Sequence, residues 1–218
     1  MNKLIFPACL LAAAASTPAW AQDSASTFTG SRAELRIGGD VRTVGVSITD
    51  GGESAYGEDD QAGITFAGEV GHDLRASGKF VVGVYGGLEF SSVARCSAVF
   101  GADQACLEAD RTITLGARAG FQPSSHTLLY VKGGYSRTRL TFTYEGGPDS
   151  PIDDQDIADN VEGLHLGGGV ETALGSKLYT RMDYIYTDYS DGRAIAGDTK
   201  VAADMSRHQL LLGIGIRF

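Results

Sequence analysis

The chain has 218 residues, 43% of them apolar, with 30 glycines and a formal charge of −9. That acidity argues against nucleic acid as a partner, because phosphate binding needs basic clusters that this sequence does not hold. Past the N-terminus no apolar run approaches the ~20 residues of a membrane helix, so any crossing of a bilayer falls to strands.

The opening residues, MNKLIFPACLLAAAASTPAWAQD, place one positive charge at Lys3 ahead of an apolar run from Leu4 to Ala15. Ala19 and Ala21 flank Trp20 as a small-x-small site, the layout of a secretory signal peptide cut after Ala21. Pro7 and Pro18 argue against a buried helix there. Cys9 sits too early for a lipoprotein signal and leaves with the peptide. Losing Lys3 makes the exported chain one unit more acidic.

Beyond a short lead over 22–31, apolar residues recur with period two. The pattern predicts strands at Arg32–Val41, Gly63–Leu74, Lys79–Ser91, Thr112–Phe121, Thr127–Phe142, Gly163–Leu174, Lys177–Tyr189 and Arg207–Phe218. Each is about the 9–11 residues of a tilted membrane strand, or slightly longer. Arg75–Gly78, Gln122–His126 and Gly175–Ser176 read as tight turns. Four long linkers lie between them, roughly 42–62, 92–111, 143–162 and 190–206. In the second linker, Cys96 and Cys106 are expected to form a disulfide in an oxidising compartment, stabilising by roughly 2–3 kcal/mol. Short turns at one end and long loops at the other are the asymmetry of an outer-membrane barrel. Eight strands return both termini to the periplasmic side.

Alternation alone does not say which face points out, since a lipocalin-like soluble barrel alternates with its apolar face inward. One face carries Leu35, Ile37, Ile64, Phe66, Val82, Val84, Leu115, Val131, Leu164, Leu166, Met182, Leu210, Leu212, Ile214 and Ile216 without a charge. The other carries Glu34, Arg36, Asp40, Glu69, Tyr85, Glu89, Arg118, Tyr130, Lys132, His165, Glu171, Arg181, Asp183, Gln209 and Arg217, with glycines between them. Its charges nearly balance within an acidic chain. An enclosed face requires that balance, because an unpaired charge out of water is costly. The expected arrangement is therefore apolar out and charged in, with Arg36, Arg118, Lys132, Arg181 and Arg217 paired to Glu34, Glu69, Glu89, Glu171 and Asp183. Phe80, Phe121 and Phe218 at the turn ends, and Phe90, Tyr135, Tyr184 and Tyr186 toward the loops, match two interfacial girdles. Apolar parity jumps after Val41 to Val44, Val46 and Ile48, and after Tyr135 to Leu140, Phe142 and Tyr144. Both jumps suggest bulges or strand extensions above the membrane. Arg137 and Arg139 then point outward, either toward lipopolysaccharide phosphates or simply into solvent.

The stretches LLYVKGGYS, LYTRMDYIYTDY and RHQLLLGIGIRF carry a family likeness. From about Ser31 onward the chain resembles the small eight-stranded outer-membrane β-barrels of the opacity-protein/OmpA-like type of Gram-negative bacteria. The resemblance implies an all-β, up-and-down antiparallel barrel over 32–218. It also implies that Phe218 is the signal read by the barrel-assembly machinery. No peptidoglycan-binding domain follows the barrel, which weakens any expectation of a cell-wall tether.

Little chemistry is expected. Asp204, Ser206 and His208 could form an acid, nucleophile and base, but spacing by two is no signature of a triad. Asp149, Asp153, Asp154, Asp156, Asp159 and Glu162 offer oxygen ligands to a divalent cation, without the glycine turn of an EF-hand. No cofactor is expected. The leading reading is a monomeric, side-chain-filled barrel with a structural or surface-interaction role through four long acidic loops. Its partners are then lipopolysaccharide and an extracellular ligand. A narrow passive pore is the alternative, and a lipid-modifying hydrolase a remote one.

Overall fold

The computed structural model describes residues 28–50, 53–92, 94–98, 104–145, 155–196 and 199–218; Ala19 and Ala21 lie outside them. The alternating segments run as β1 Gly30–Asp50, β2 Glu53–Ser77, β3 Phe80–Ser91, β4 Ala94–Ala98, β5 Gln104–Ser124, β6 Thr127–Glu145, β7 Gln155–Ala173, β8 Leu178–Ala196 and β9 Thr199–Arg217. Neighbours pair antiparallel in the order β3-β2-β1-β9-β8-β7-β6-β5, and β3 pairs back onto β5. Because β3 and β4 both lie along β5, they share one stave, and the sheet is a closed ring of eight. The first and last strands pair without a break from Arg32↔Arg217 to Thr49↔Lys200. Ser31 and Phe218 complete the seam by exchanging two backbone bonds of 2.9 Å.

The turns at one end are short. Gly78 has φ +52°, a left-handed conformation that glycine adopts without strain, and it begins the β2–β3 turn. Ser125–His126 joins β5 to β6, and a four-residue bend over Leu174–Lys177 joins β7 to β8. At the other end the structure departs from expectation, because most of each predicted linker is strand. β1 runs to Asp50 and β2 begins at Glu53, where a loop over 42–62 was expected. Seven strands reach 19–25 residues. At ~3.3 Å per residue and ~40° tilt, 19 residues rise roughly 48 Å, against a hydrocarbon core of ~30 Å. The surplus forms a collar of paired strands beyond the bilayer.

The parity jumps have a different cause from a bulge. β1 stays in register with both neighbours through Val44–Ile48, and β6 stays in register with β7 through Tyr144. Unbroken pleating puts Val44, Val46 and Ile48 on the face of Asp40 and Arg42, and Leu140 and Tyr144 on the face of Thr138. The Phe142 side chain is outside the described set. Apolar residues thus change from the outer to the inner face as the strands leave the membrane. There the medium outside is water, which no longer favours an outward apolar face; Tyr144 is buried, whereas Val46 and Ile48 stay 37% and 45% exposed. The nearest register shift falls on β5, between Ala109 and Arg111.

Within the membrane-spanning part the faces are sharply sorted. Leu35, Leu164 and Leu166 are 71%, 70% and 68% exposed on the outside, whereas Glu69, Glu171 and Asp183 are fully buried within. A soluble barrel with an apolar interior would show the reverse. Leu166 pairs with Gly133, midway between the Phe121 and Tyr135 levels. Leu166→Arg is expected to destabilise the lipid-inserted barrel by about 2–4 kcal/mol. A urea titration of folding into phospholipid vesicles reads this, and an unchanged midpoint would contradict lipid contact at Leu166.

Candidate functional site

The interior is the most chemically distinctive part of the molecule. Pleating aims every second side chain inward, and closure packs those from all eight staves into one narrow column. Eight cations, Arg32, Arg36, Arg42, Arg118, Lys132, Arg181, Arg207 and Arg217, are buried there with seven carboxylates, Glu34, Asp40, Glu69, Asp73, Glu89, Glu171 and Asp183. The column is close to neutral inside a chain of −9.

The charges form three tiers. Nearest the short turns, Arg118 grips Asp73 with two nitrogens, at 2.6 and 2.8 Å, and reaches Glu171 at 3.0 Å. Arg217 spans the same two carboxylates at 2.7 and 2.6 Å, so two arginines and two acids from β2, β5, β7 and β9 close a ring across the lumen. In the middle tier Glu69 accepts Lys132 Nζ at 2.6 Å, Arg32 at 2.8 Å, Arg36 at 3.2 Å and Arg181 at 3.3 Å. Glu34 takes Arg181 at 2.5 Å and the Tyr179 hydroxyl at 2.7 Å. Asp183 accepts from Arg181 at 2.8 Å and from the Tyr130 hydroxyl. In the upper tier Arg207 bridges Asp40 at 2.8 Å and Glu89 at 3.0 Å, and Gln209 donates to Glu89.

Aromatic faces fill the gaps between tiers. Tyr130 lies between the Arg118 and Arg181 guanidinium groups, each 5.0 Å from its ring centre, and Lys132 Nζ stands 4.0 Å over the Tyr85 ring. The Tyr85 hydroxyl meets His165 Nε2 at 2.5 Å, while Ser136 holds the opposite ring nitrogen at 2.8 Å. Such cation–ring contacts add attraction where water is excluded. Glycines supply the space. A Cβ at Gly213 would sit 2.9 Å from Arg36 Cγ and 3.0 Å from Arg181 Cγ, and one at Gly71 would sit 2.8 Å from Arg32 Nη2. Below the lowest tier, Phe28, Val81, Leu128 and Ala173 form an apolar stopper with Tyr130 at the short-turn end.

All ten charged residues assigned to the lumen from the sequence, Glu34, Arg36, Glu69, Glu89, Arg118, Lys132, Glu171, Arg181, Asp183 and Arg217, lie in this column. Arg32, Asp73, Arg42 and Arg207 join them. Of these four, Arg32, Asp73 and Arg207 share the inward parity inside predicted strands, so the signal was present in the alternation. Phe28 had no such signal, because it precedes the first strand.

The remaining candidates are scattered. Cys106 is disulfide-bonded, and Cys96 is its direct register partner across β4 and β5. His208 lies on the outer face, where its Nδ1 meets the Tyr184 hydroxyl at 2.7 Å and its ring packs 4.9 Å from that of Tyr186. Those contacts place it in the aromatic girdle. The side chains of Asp149, Asp153, Asp154 and Asp156 lie outside the described ones, and Asp159 and Glu162 are exposed. Among the described residues no cluster of His, Cys, Asp and Glu could hold a metal ion. Phe218 is exposed at the seam.

The family described as "Outer membrane protein beta-barrel domain" matches residues 8–218. No curated protein matches the chain. Among solved structures the chain is similar to Ail, the attachment invasion locus protein of Yersinia pestis, at 16% identity and TM-score 0.42, covering 87% of this chain and 99% of that one. It is similar to Neisserial surface protein A at 14% identity and TM-score 0.47, covering 84% and 97%. It is also similar to the outer membrane protease OmpT of Escherichia coli at 8% identity and TM-score 0.53, covering 88% and 100%. With a closed eight-stave ring, a lipid-facing apolar belt and a charged interior, the chain belongs to the outer membrane protein β-barrel family and resides in the outer membrane of a Gram-negative bacterium.

Proposed function

We propose that the protein is a closed barrel that acts through its outer surface and its long-end hairpins, in a structural or surface-interaction role. The filled lumen carries this reading. An eight-stranded ring leaves room for side chains and little else, and fifteen charged groups in three tiers occupy it above an apolar stopper. The reading is non-catalytic: His208, the base of the candidate triad, has its Nδ1 on the Tyr184 hydroxyl, where a triad would place an acid, and its ring packs on Tyr186. A narrow passive pore is the second reading. It is favoured by buried donors such as Arg32 Nη2, which has no hydrogen-bond acceptor among the described residues and would gain one from water entering the lumen.

The same proposal takes Ala19 and Ala21 as the signal-cleavage site and Cys96 as the disulfide partner of Cys106. It places both termini in the periplasm, with Phe218 as the residue read by the barrel-assembly machinery, and it makes the protein a monomer without a cofactor.

In planar bilayers the refolded protein is expected to give no stable conductance step; a reproducible unit conductance would establish the pore instead. Glu69→Ala removes the carboxylate shared by Lys132, Arg32, Arg36 and Arg181. It is expected to cost about 3–5 kcal/mol, since the cations stay buried without it. The urea midpoint of the heat-modifiable form measures that loss, and a midpoint equal to the parent's would show that Glu69 does not hold the barrel together. Deleting Phe218 is expected to reduce the amount of folded protein in the outer membrane. Undiminished amounts would remove its role in assembly.

A further inference from the structure

The ring that crosses the bilayer is closed, but among the described residues the collar above it parts at two seams. β7 and β8 separate beyond Gly163↔Tyr189, while each stays paired with its other neighbour. β2 loses β3 beyond Thr65↔Ser91, and β4, which continues that stave, pairs with β5 and not with β2. The second break sits just past Phe66 and Phe90, register partners exposed on the outer face at the level of the aromatic girdle. Above it β2 extends to Glu53, held by β1 in unbroken register.

Pleating decides which backbone groups this leaves open. Ile64 donates its amide to Ser92 Oγ at 2.9 Å and accepts from the Ser92 amide at 2.8 Å, so its polar groups point away from β1. Alternate residues point the same way, which aims the amides and carbonyls of Ser54, Tyr56, Glu58, Asp60 and Ala62 at the open side. None of these groups meets a backbone partner among the described residues, and all five side chains are exposed. The edge is about 30 Å long at ~3.3 Å per residue.

An uncovered edge is a template for a further strand, and charge on it decides which strand. The stretch SAYGEDDQA holds no basic residue. Glu58 and Asp60 share the outer face with Ile64; Tyr56 donates to Glu58 Oε2 at 2.8 Å and Thr43 to Asp60 Oδ1 at 2.7 Å. A second copy of this chain is a poor occupant. Antiparallel overlap of two such edges sets Glu58 against its own copy, and like charges directly opposite repel.

We propose that the β2 edge from Ser54 to Ala62 receives an extended segment of another protein by strand addition, with lysine or arginine at alternate positions facing Glu58 and Asp60. Backbone bonds along the edge supply affinity, and the alternate side chains select the partner. The Tyr56 ring, 63% exposed, offers its face to the apolar stem of such a cation. This assignment rests on the surface-interaction reading above and names the chemistry of its partner.

The test uses the full barrel in phosphatidylcholine nanodiscs, titrated with a fluorescent nine-residue peptide alternating lysine and threonine and read by anisotropy. The parent is expected to bind it and to show slowed amide exchange at Tyr56, Glu58 and Asp60. Tyr56→Pro removes one edge-facing amide and no charge, a change tolerated on the open side of a strand. It is expected to weaken binding at least ~10-fold, as is N-methylation of the peptide at each lysine. Glu58→Gln with Asp60→Asn is expected to weaken it about 5-fold. Arg75→Gln, at the short-turn end, is expected to leave it unchanged, and heat-modifiable migration confirms that each variant is folded. A parent that binds no peptide would overturn the proposal, as would parent-level binding by Tyr56→Pro, of the N-methylated peptide, or of a glutamate–threonine peptide. A parent dimer that Tyr56→Pro dissolves would give the edge to a second copy instead. None of these substitutions touches the lumen, so conductance reports on the closed barrel independently.

Discussion

A backbone amide or carbonyl entering hydrocarbon finds no water, so each must be satisfied inside the sheet. For a chain that crosses with strands, this means the first strand has to pair with the last, as β1 does with β9 from Arg32↔Arg217 onward. The other features follow from that seam. Closing eight staves fixes a bore about as wide as two opposing side chains. A bore of that width is filled by whatever the inward parity supplies, and here it supplies charge. Charge shut away from water must be nearly neutral and densely paired. The tiers of Asp73 with Glu171, of Glu34 with Glu69 and Asp183, and of Asp40 with Glu89 meet that condition.

Glycine makes the packing possible. Arginine and tyrosine are too long for a column lined on every side by other long residues, and the wall must recede where they pass. Gly71, Gly116, Gly169 and Gly213 are such recesses, set against Arg32, Tyr85, Tyr130 and the pair Arg36 and Arg181. Glycine at these positions therefore serves the interior.

How much of this was legible in the sequence depends on the medium each segment meets. Inside the bilayer one rule holds throughout, so the parity of Leu210, Leu212 and Ile214 against Gln209 and Arg217 was enough to orient a strand. Above the bilayer the rule inverts. Val44, Val46 and Ile48 then look like a break in the pattern, and a single-phase reading turns continuous strand into loop. The aromatic Phe28 was invisible for another reason, since a lone residue ahead of the first strand has no period to belong to. The outward arginines of β5 and β6 were half legible. Arg137 and Arg139 stand out within β6, but Arg111 joins them only through the pairing of β5 with β6, past a register shift that no local pattern announces.

The partners in the lumen are far apart along the chain: Arg207 and Asp40 by 167 residues, Arg181 and Glu34 by 147, Arg217 and Asp73 by 144. None of these pairs exists in a half-built sheet, where the same groups would be stranded beside lipid. A partly formed barrel is therefore penalised in proportion to the charge it has not yet neutralised, and the penalty vanishes only when the seam shuts. The lumen in this sense imposes cooperativity, making insertion an all-or-none event and leaving no stable stopping place between the unfolded chain and the finished ring.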